Sequence, residues 1–257
     1  MSKLVERLEK LAHGVNQPMG FGFHAAQPKT PSLLTIALLD KENPRTAAAA
    51  ASAGADFIVV PVSAANIKDL GATFKAAESV SCGVLCHDLS AEHIPALKEA
   101  GCDFLVFEPQ QAPMSILRDE EMGKVLVLDN LMEDTLAATA EQLEVDAVLL
   151  DLGDPPLTIQ RVMVFQRTAG LTSKSVIAVV PATLSIAEVE VLRDMGVQGL
   201  AVRVKDVKSA EAISDLRKAA EGLAPPKKKK MKANAIVPRI ALRTAPDEDG
   251  EEEEEEE

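Results

Sequence analysis

Apolar and polar positions along this 257-residue chain fall into a repeating two-part pattern. Eight short runs rich in branched apolar residues recur: LLTIALL (33–39), DFIVVPV (56–62), VSCGVLCH (80–87), DFLVFEP (103–109), KVLVLD (124–129), DAVLLDLG (146–153), SVIAVVPA (175–182) and LAVRVKD (200–206). Each run is continuous rather than alternating, which is the pattern of a β-strand covered on both faces. Between most of them lie segments such as SAANIKDLGATFKAAE, SAEHIPALKEAGC and SIAEVEVLRDMG, with apolar residues at three- and four-residue intervals. Most carry a Ser, Asp or Asn near the start, so they read as capped amphipathic helices. The fourth connection, QQAPMSILRDEEMG, is short, whereas the sixth, PPLTIQRVMVFQRTAGLTSK, is longer and amphipathic.

Every connection is too long for a hairpin, so strands and helices combine as parallel βαβ units. Eight strands are the number that closes a barrel. The expected fold is therefore α/β, a (β/α)8 TIM barrel over residues 33–224. An N-terminal helix, KLVERLEKLAHGV, and an irregular link complete residues 1–32, with Phe21 and Phe23 suited to plugging the barrel bottom. An open doubly wound sheet is the alternative; it usually shows a Gly-rich turn after its first strand, and LLTIALLDKENPRT has none. An echo supports the barrel. Gly54-Ala55-Asp56, Gly101-Cys102-Asp103, Glu144-Val145-Asp146 and Gly196-Val197-Gln198-Gly199 precede runs two, four, six and eight. Small or turn-forming residues there end a helix and feed the next strand.

Residues 225–257 break the pattern. Prolines, a basic block at Lys227–Lys230 with Lys232, and seven terminal glutamates lack the apolar content to fold alone, so this is expected to be a disordered, charged C-terminal tail. Its AIVPRIAL segment is apolar enough to dock on the barrel or on a protein partner. The chain's formal charge is −13, with the acidic excess in the body as well as the tail, which argues against a nucleic-acid ligand. No run approaches the ~18 uncharged apolar residues of a membrane span, and no leader pattern opens the chain, so the expected setting is the cytoplasm without membrane partners. Association through the outer helices into a homo-oligomer is common for such barrels. The three cysteines are expected to be free: Cys82 and Cys86 share one strand-like run, roughly 13 Å apart.

In a parallel barrel the chemistry sits where the strands end at their C-terminal side. The residues closing the runs are Asp40, Ser63, His87 with Asp88, Glu108, Asp129 with Asn130, Asp151 with Asp154, Thr183 with Ser185, and Lys205 with Asp206. That mouth is acidic and would receive a small-molecule ligand. Crowded carboxylates take up protons, spread into water or bind a cation. A hard divalent ion, Mg²⁺ or Mn²⁺, accepts such oxygens. Glu108, Asp129 and Asp151 close three successive strands and are the candidate metal ligands, with His87 as a neighbouring acid or base. Lys205, beyond the last strand, is the nearest approach to an amine nucleophile. Asp88, Asp129 and Asp154 equally suit helix N-caps and turns, while His13, His24 and His93 suit surface or structural roles. The segments after runs seven and eight lack the glycines with which barrels usually cradle phosphate, although Ser185 or Ser209 stands at a helix start. No GxGxxG, Walker, GxSxG or CxxC pattern is present, so no nucleotide cofactor is indicated.

AGADFIVVP and AGCDFLVFEP, with ALKEAGC and VLRDMGV before strands, resemble the aldolase-type TIM-barrel superfamily, in which A-G-A-D recurs at helix-to-strand junctions. The resemblance spans residues 33–224 and implies the barrel. DAVLLDLGDPP is similar to the acidic strand end D-x-V-x-x-D-L-E-D of Mg²⁺-dependent citrate-lyase-type carbon–carbon lyases, with Gly153 in place of an acidic residue and in the sixth rather than the first strand. It implies a divalent-metal-dependent lyase or related enzyme on a small oxygen-rich metabolite. The alternative is a non-catalytic barrel serving as a scaffold or interaction module, in keeping with the missing phosphate glycines and the bipolar tail.

Overall fold

The computed structural model describes residues 2–12 and 32–223, apart from 65, 79, 87, 89, 130, 131, 154 and 155. The link with Phe21 and Phe23, His13, His24, His87, Asn130, Asp154 and the charged tail lie outside the described residues. The strands are β1 (Leu34–Leu39), β2 (Phe57–Val62), β3 (Ser81–Cys86), β4 (Phe104–Phe107), β5 (Gly123–Leu128), β6 (Ala147–Asp151), β7 (Ser175–Val180) and β8 (Val197–Val204). Each pairs in parallel with the next, and β8 pairs with β1, closing the barrel. Helix α1 (Lys3–Ala12) precedes it, and α2 (Pro44–Ser52), α3 (Leu70–Ala76), α4 (Ile94–Ala100), α5 (Asp134–Ala138), α6 (Ile159–Ala169), α7 (Ile186–Asp194) and α8 (Glu211–Glu221) follow β1, β2, β3, β5, β6, β7 and β8. Asn43 and Thr158 cap α2 and α6, and Ser185 with Glu188 forms a capping box on α7, satisfying amides that the first helical turn leaves without partners.

The continuous apolar runs have a direct cause: alternate residues enter two different cores. From β2, Phe57 and Val59 face the barrel interior, while Ile58, Val60 and Val62 pack outward beneath the helices. Helix α1 closes the bottom, its Leu4 and Leu8 fully buried in the same cluster as Phe57, Phe104 and Ile177.

Two connections differ from expectation. The fourth holds no α-helix, only a 3₁₀ turn at Met114–Arg118. It is fastened instead by Lys124, a buried lysine on the outer face of β5, whose ammonium donates to the carbonyls of Leu117 and Asp119 at 3.1 and 3.0 Å. Strand β8 starts at Val197, so of the four residues read as a turn only Gly196, at φ 98°, stays outside it. Gly199 pairs with Leu34 and Ile177, where a Cβ would stand 3.2 Å from the Ile177 side chain.

The echo before the even strands resolves into a repeated fastening. Gly54 and Gly101 both take φ 92°, the left-handed turn that frees the chain from a helix. A residue at the start of β2, β6 and β8 then reaches back to the start of the preceding strand. Asp56 Oδ2 accepts the Thr35 amide and hydroxyl, both at 2.9 Å; Asp146 Oδ2 accepts the Lys124 amide at 2.7 Å; Gln198 Oε1 accepts the Val176 amide at 2.7 Å. Asp103 is put to a different use, taking the Ser2 hydroxyl and the Lys3 and Leu4 amides and thereby seating α1 on the barrel.

The cysteines are free and buried. Burial pushes the Cys82 and Cys86 thiols up to about 12, and Cys102 higher still. Since the thiolate is the reactive form, native protein at a pH of about 8 will react negligibly with an aromatic disulfide reagent, and three equivalents will appear on unfolding. Rapid labelling of the native state would contradict the packing.

Glu141, in the 3₁₀ turn Thr139–Gln142 after α5, accepts the Ser173 hydroxyl and amide and the Thr172 hydroxyl at 2.6, 2.8 and 2.8 Å. The Ser173 hydroxyl first, then its amide and Thr172, hold the carboxyl at about 2 against an ordinary 4.5. A depressed folded-state value means the contribution is complete above the ordinary value and fades as pH falls from there toward the folded one. Urea midpoints of wild type and Glu141→Gln will therefore differ near neutrality and converge as the pH falls below about 4.

Candidate active site at the barrel mouth

At the C-terminal end of the strands a cavity of about 230 Å³ opens, floored by Leu85, Val106, Val127, Leu149 and Val179 and edged by Asp40, Glu108, Asp151 and Arg203. The parity of the strands places these groups. On β6, Ala147 and Leu149 face the interior and Asp151 continues that row; on β8, Ala201 faces inward and Arg203 follows it. Glu108 extends the inward row of Phe104 and Val106 one residue past the end of β4.

Arg203 Nη2 donates to Asp151 Oδ2 at 2.7 Å, and Asp151 Oδ1 accepts the Gly153 amide at 2.8 Å. Glu108 is half-buried and accepts the Gln111 side-chain amide at 3.1 Å. Strands β4 and β6 are separated by β5, so their ends stand roughly 10 Å apart. A small molecule in the cavity would thus have Glu108 on one side and the Asp151–Arg203 pair on the other.

The remaining sequence candidates fall differently. Asp129 and Lys205 are exposed and neither edges the cavity, Lys205 lying beyond the end of β8 at Val204. Among the described residues no three His, Cys, Asp or Glu side chains converge to hold a metal ion. Glu108 and Asp151 do share the cavity, but Asp151 is committed to Arg203. His93 has the structural role expected of it, its Nδ1 accepting the Ser90 amide. Arg203, which the sequence shows as a positive charge inside the eighth run, is the cation at the cavity edge, in the place expected of Lys205. Its inward parity in LAVRV was visible; the strand end that separates it from Lys205 was not.

The two helix starts where phosphate would be held in many barrels are filled from within. Glu188 accepts the Ser185 amide and hydroxyl at 2.8 and 2.7 Å. The Ser209 hydroxyl accepts the Lys205 and Asp206 amides, both at 2.9 Å, and Asp206 accepts the Ser209 amide at 2.8 Å. Those serine contacts hold both carboxyls below their ordinary values. Both positions therefore carry negative charge of their own. A second cavity, about 280 Å³, lies at the opposite end of the barrel near Gln166, Lys174 and Gln198. Its Thr172, Ser173 and Gln198 side chains are occupied by Glu141 and the Val176 amide.

No helix among the described residues is long and apolar enough to cross a membrane. No family model and no curated protein matches the sequence. Solved structures do. Phosphoribosyl anthranilate isomerase from Thermus thermophilus aligns at TM-score 0.54 and 14% identity over 73% of this chain and 100% of that one. Tryptophan synthase from M. tuberculosis aligns at 0.55 and 12% over 73% and 92%, and a mutant tryptophan synthase alpha-subunit from Pyrococcus furiosus at 0.52 and 15% over 73% and 96%. At such identities the likeness is one of architecture: the chain has the (β/α)8 TIM-barrel fold.

Proposed function

We propose that the mouth is the active site of a lyase or related enzyme acting on a small oxygen-rich metabolite, with Glu108 and Asp151 exchanging protons with it. The observation that supports this reading best is the shared cavity, in which two carboxylates from different strands face one another over an apolar floor. Such a floor gives apolar contact to a ligand's carbon skeleton while a few polar groups at the edge orient it. Carboxylates held in two different hydrogen-bonded settings suit opposite roles, one receiving a proton while the other delivers one. Mg²⁺ commonly uses only one or two protein carboxylates together with substrate oxygens, so Glu108, the carboxylate not paired with Arg203, would hold it if a cation takes part. The proton-transfer roles do not depend on it. The test is an NMR screen for turnover of small hydroxy- and oxo-acids by full-length protein, with Glu108→Gln and Asp151→Asn as controls. Turnover lost in both variants is the expected result, and turnover indifferent to both would remove the assignment.

A second reading, the non-catalytic barrel, is favoured by one observation. Ile159 and Met163 lie one turn apart on α6 with 82% and 67% of their surface exposed, an apolar strip of the kind that contacts another protein surface. Under that reading the mouth variants are silent, and Met163→Lys alters the mass measured by sedimentation.

A further inference from the structure

We infer that the ligand of the mouth is a small carboxylic acid anchored by Arg203, and that Asp151 occupies the place of the ligand's carboxylate until it arrives. The inference rests on the mouth being the active site, and it adds the chemical class of what enters. Among the described residues Arg203 is the only cationic side chain edging the cavity. Among the described residues its one acceptor is Asp151, reached through Nη2 alone, so Nε and Nη1 have none. A guanidinium offers a planar fork that matches a carboxylate through two parallel hydrogen bonds, and half of that fork is unused.

The resident pair is also easy to exchange. The Arg203 and Asp151 side chains are 54% and 42% exposed, and ion pairs so open to water are weak. An incoming carboxylate that takes the fork leaves Asp151 still tethered to the Gly153 amide.

Size and charge narrow the class. The cavity, at about 230 Å³, lies below the usual range of about 300–1,000 Å³ for ligand pockets, so the acid is small. Phosphate is disfavoured because Glu188 and Asp206 fill the helix starts after β7 and β8, and Asp40 and Glu108 add further negative charge at the rim. One arginine balances one carboxylate in that setting more readily than a dianion.

The experiment is calorimetric titration of full-length protein with pyruvate, lactate and inorganic phosphate at millimolar concentration. It is repeated on Arg203→Met, Arg203→Lys and Asp151→Asn, with circular dichroism to confirm folding. One or both carboxylates should bind and phosphate should not. Arg203→Met should weaken binding about tenfold or more, and Arg203→Lys, which keeps the charge but not the fork, should fall between. Asp151→Asn should tighten binding, since the internal competitor loses its charge. Undiminished binding to Arg203→Met, stronger binding of phosphate than of either carboxylate, or no binding at all would overturn the inference. Its failure is separable from that of the enzymatic reading. Glu108-dependent turnover of a neutral compound that ignores Arg203→Met sinks the carboxylate anchor alone. Arg203-dependent binding of an acid that is never turned over sinks catalysis alone.

Discussion

Shortening Phe104 to alanine will lower the stability of the barrel by about 3–5 kcal/mol. The ring is 1% exposed and meets Phe57 edge to face, with centroids 5.9 Å apart and planes at 84°. It lies where a side chain on Gly83 would be, since a Cβ built there falls 2.4 to 2.6 Å from three of its ring atoms. It also shares the bottom layer with Leu4 and Leu8 of α1. Removing it opens a cavity that neighbouring strands cannot close, because each is held in register on both sides. The converse substitution is informative. Gly83→Ala forces the Phe104 ring to move and should cost about 1–3 kcal/mol, while Gly83→Ala combined with Phe104→Leu should cost less than the two changes summed. Urea unfolding of Phe104→Ala, Gly83→Ala, Phe104→Leu and the double variant measures this directly. Additive losses would show that the glycine and the ring do not occupy the same space.

Exchanging Glu108 for glutamine will reduce turnover of a small acid substrate by about 10²–10⁴-fold. Glutamine keeps the shape and can still meet Gln111, but it neither takes up nor delivers a proton at the relevant pH. The loss should therefore fall on kcat, with KM little changed. Asp151→Asn should cost a comparable factor in kcat while lowering KM, because it releases Arg203 for the substrate. Arg203→Met should chiefly raise KM. That division among the three residues follows from their geometry, one carboxylate apart and one engaged with the cation. Equal effects of all three on KM alone would make them a binding cluster without acid–base chemistry.

The barrel was visible in the sequence because each strand is sandwiched between two apolar layers, and residues of both parities had to be hydrophobic. That requirement is local, so the eight runs and the helices between them stand out. The errors lie where long-range geometry decides. Gly199 looked like a turn residue; only the closeness of Ile36 and Ile177 across the sheet explains a glycine within a strand. The fourth connection showed weak helical spacing, and its anchor, Lys124, sits on a neighbouring strand. The echoed aspartates were visible as a repeat, but their partners depend on which strand lies alongside. At the mouth, closing position identified Glu108 and Asp151 and equally named Asp129, which stands exposed one residue beyond β5. Position along a strand gives the end of the barrel; the exact strand end and the reach of a long side chain decide what enters the cavity. Arg203 rather than Lys205 is the clearest instance.

The most direct test of the mouth as the functional site is amide chemical-shift mapping on isotopically labelled full-length protein titrated with pyruvate or lactate. The account predicts that the perturbed amides cluster at Leu39, Asp40, Glu108, Asp151, Gly153 and Arg203, and that Arg203→Met abolishes the perturbation. Shifts centred instead on Lys174 and Gln198 at the opposite end of the barrel, or none at millimolar ligand, would contradict it.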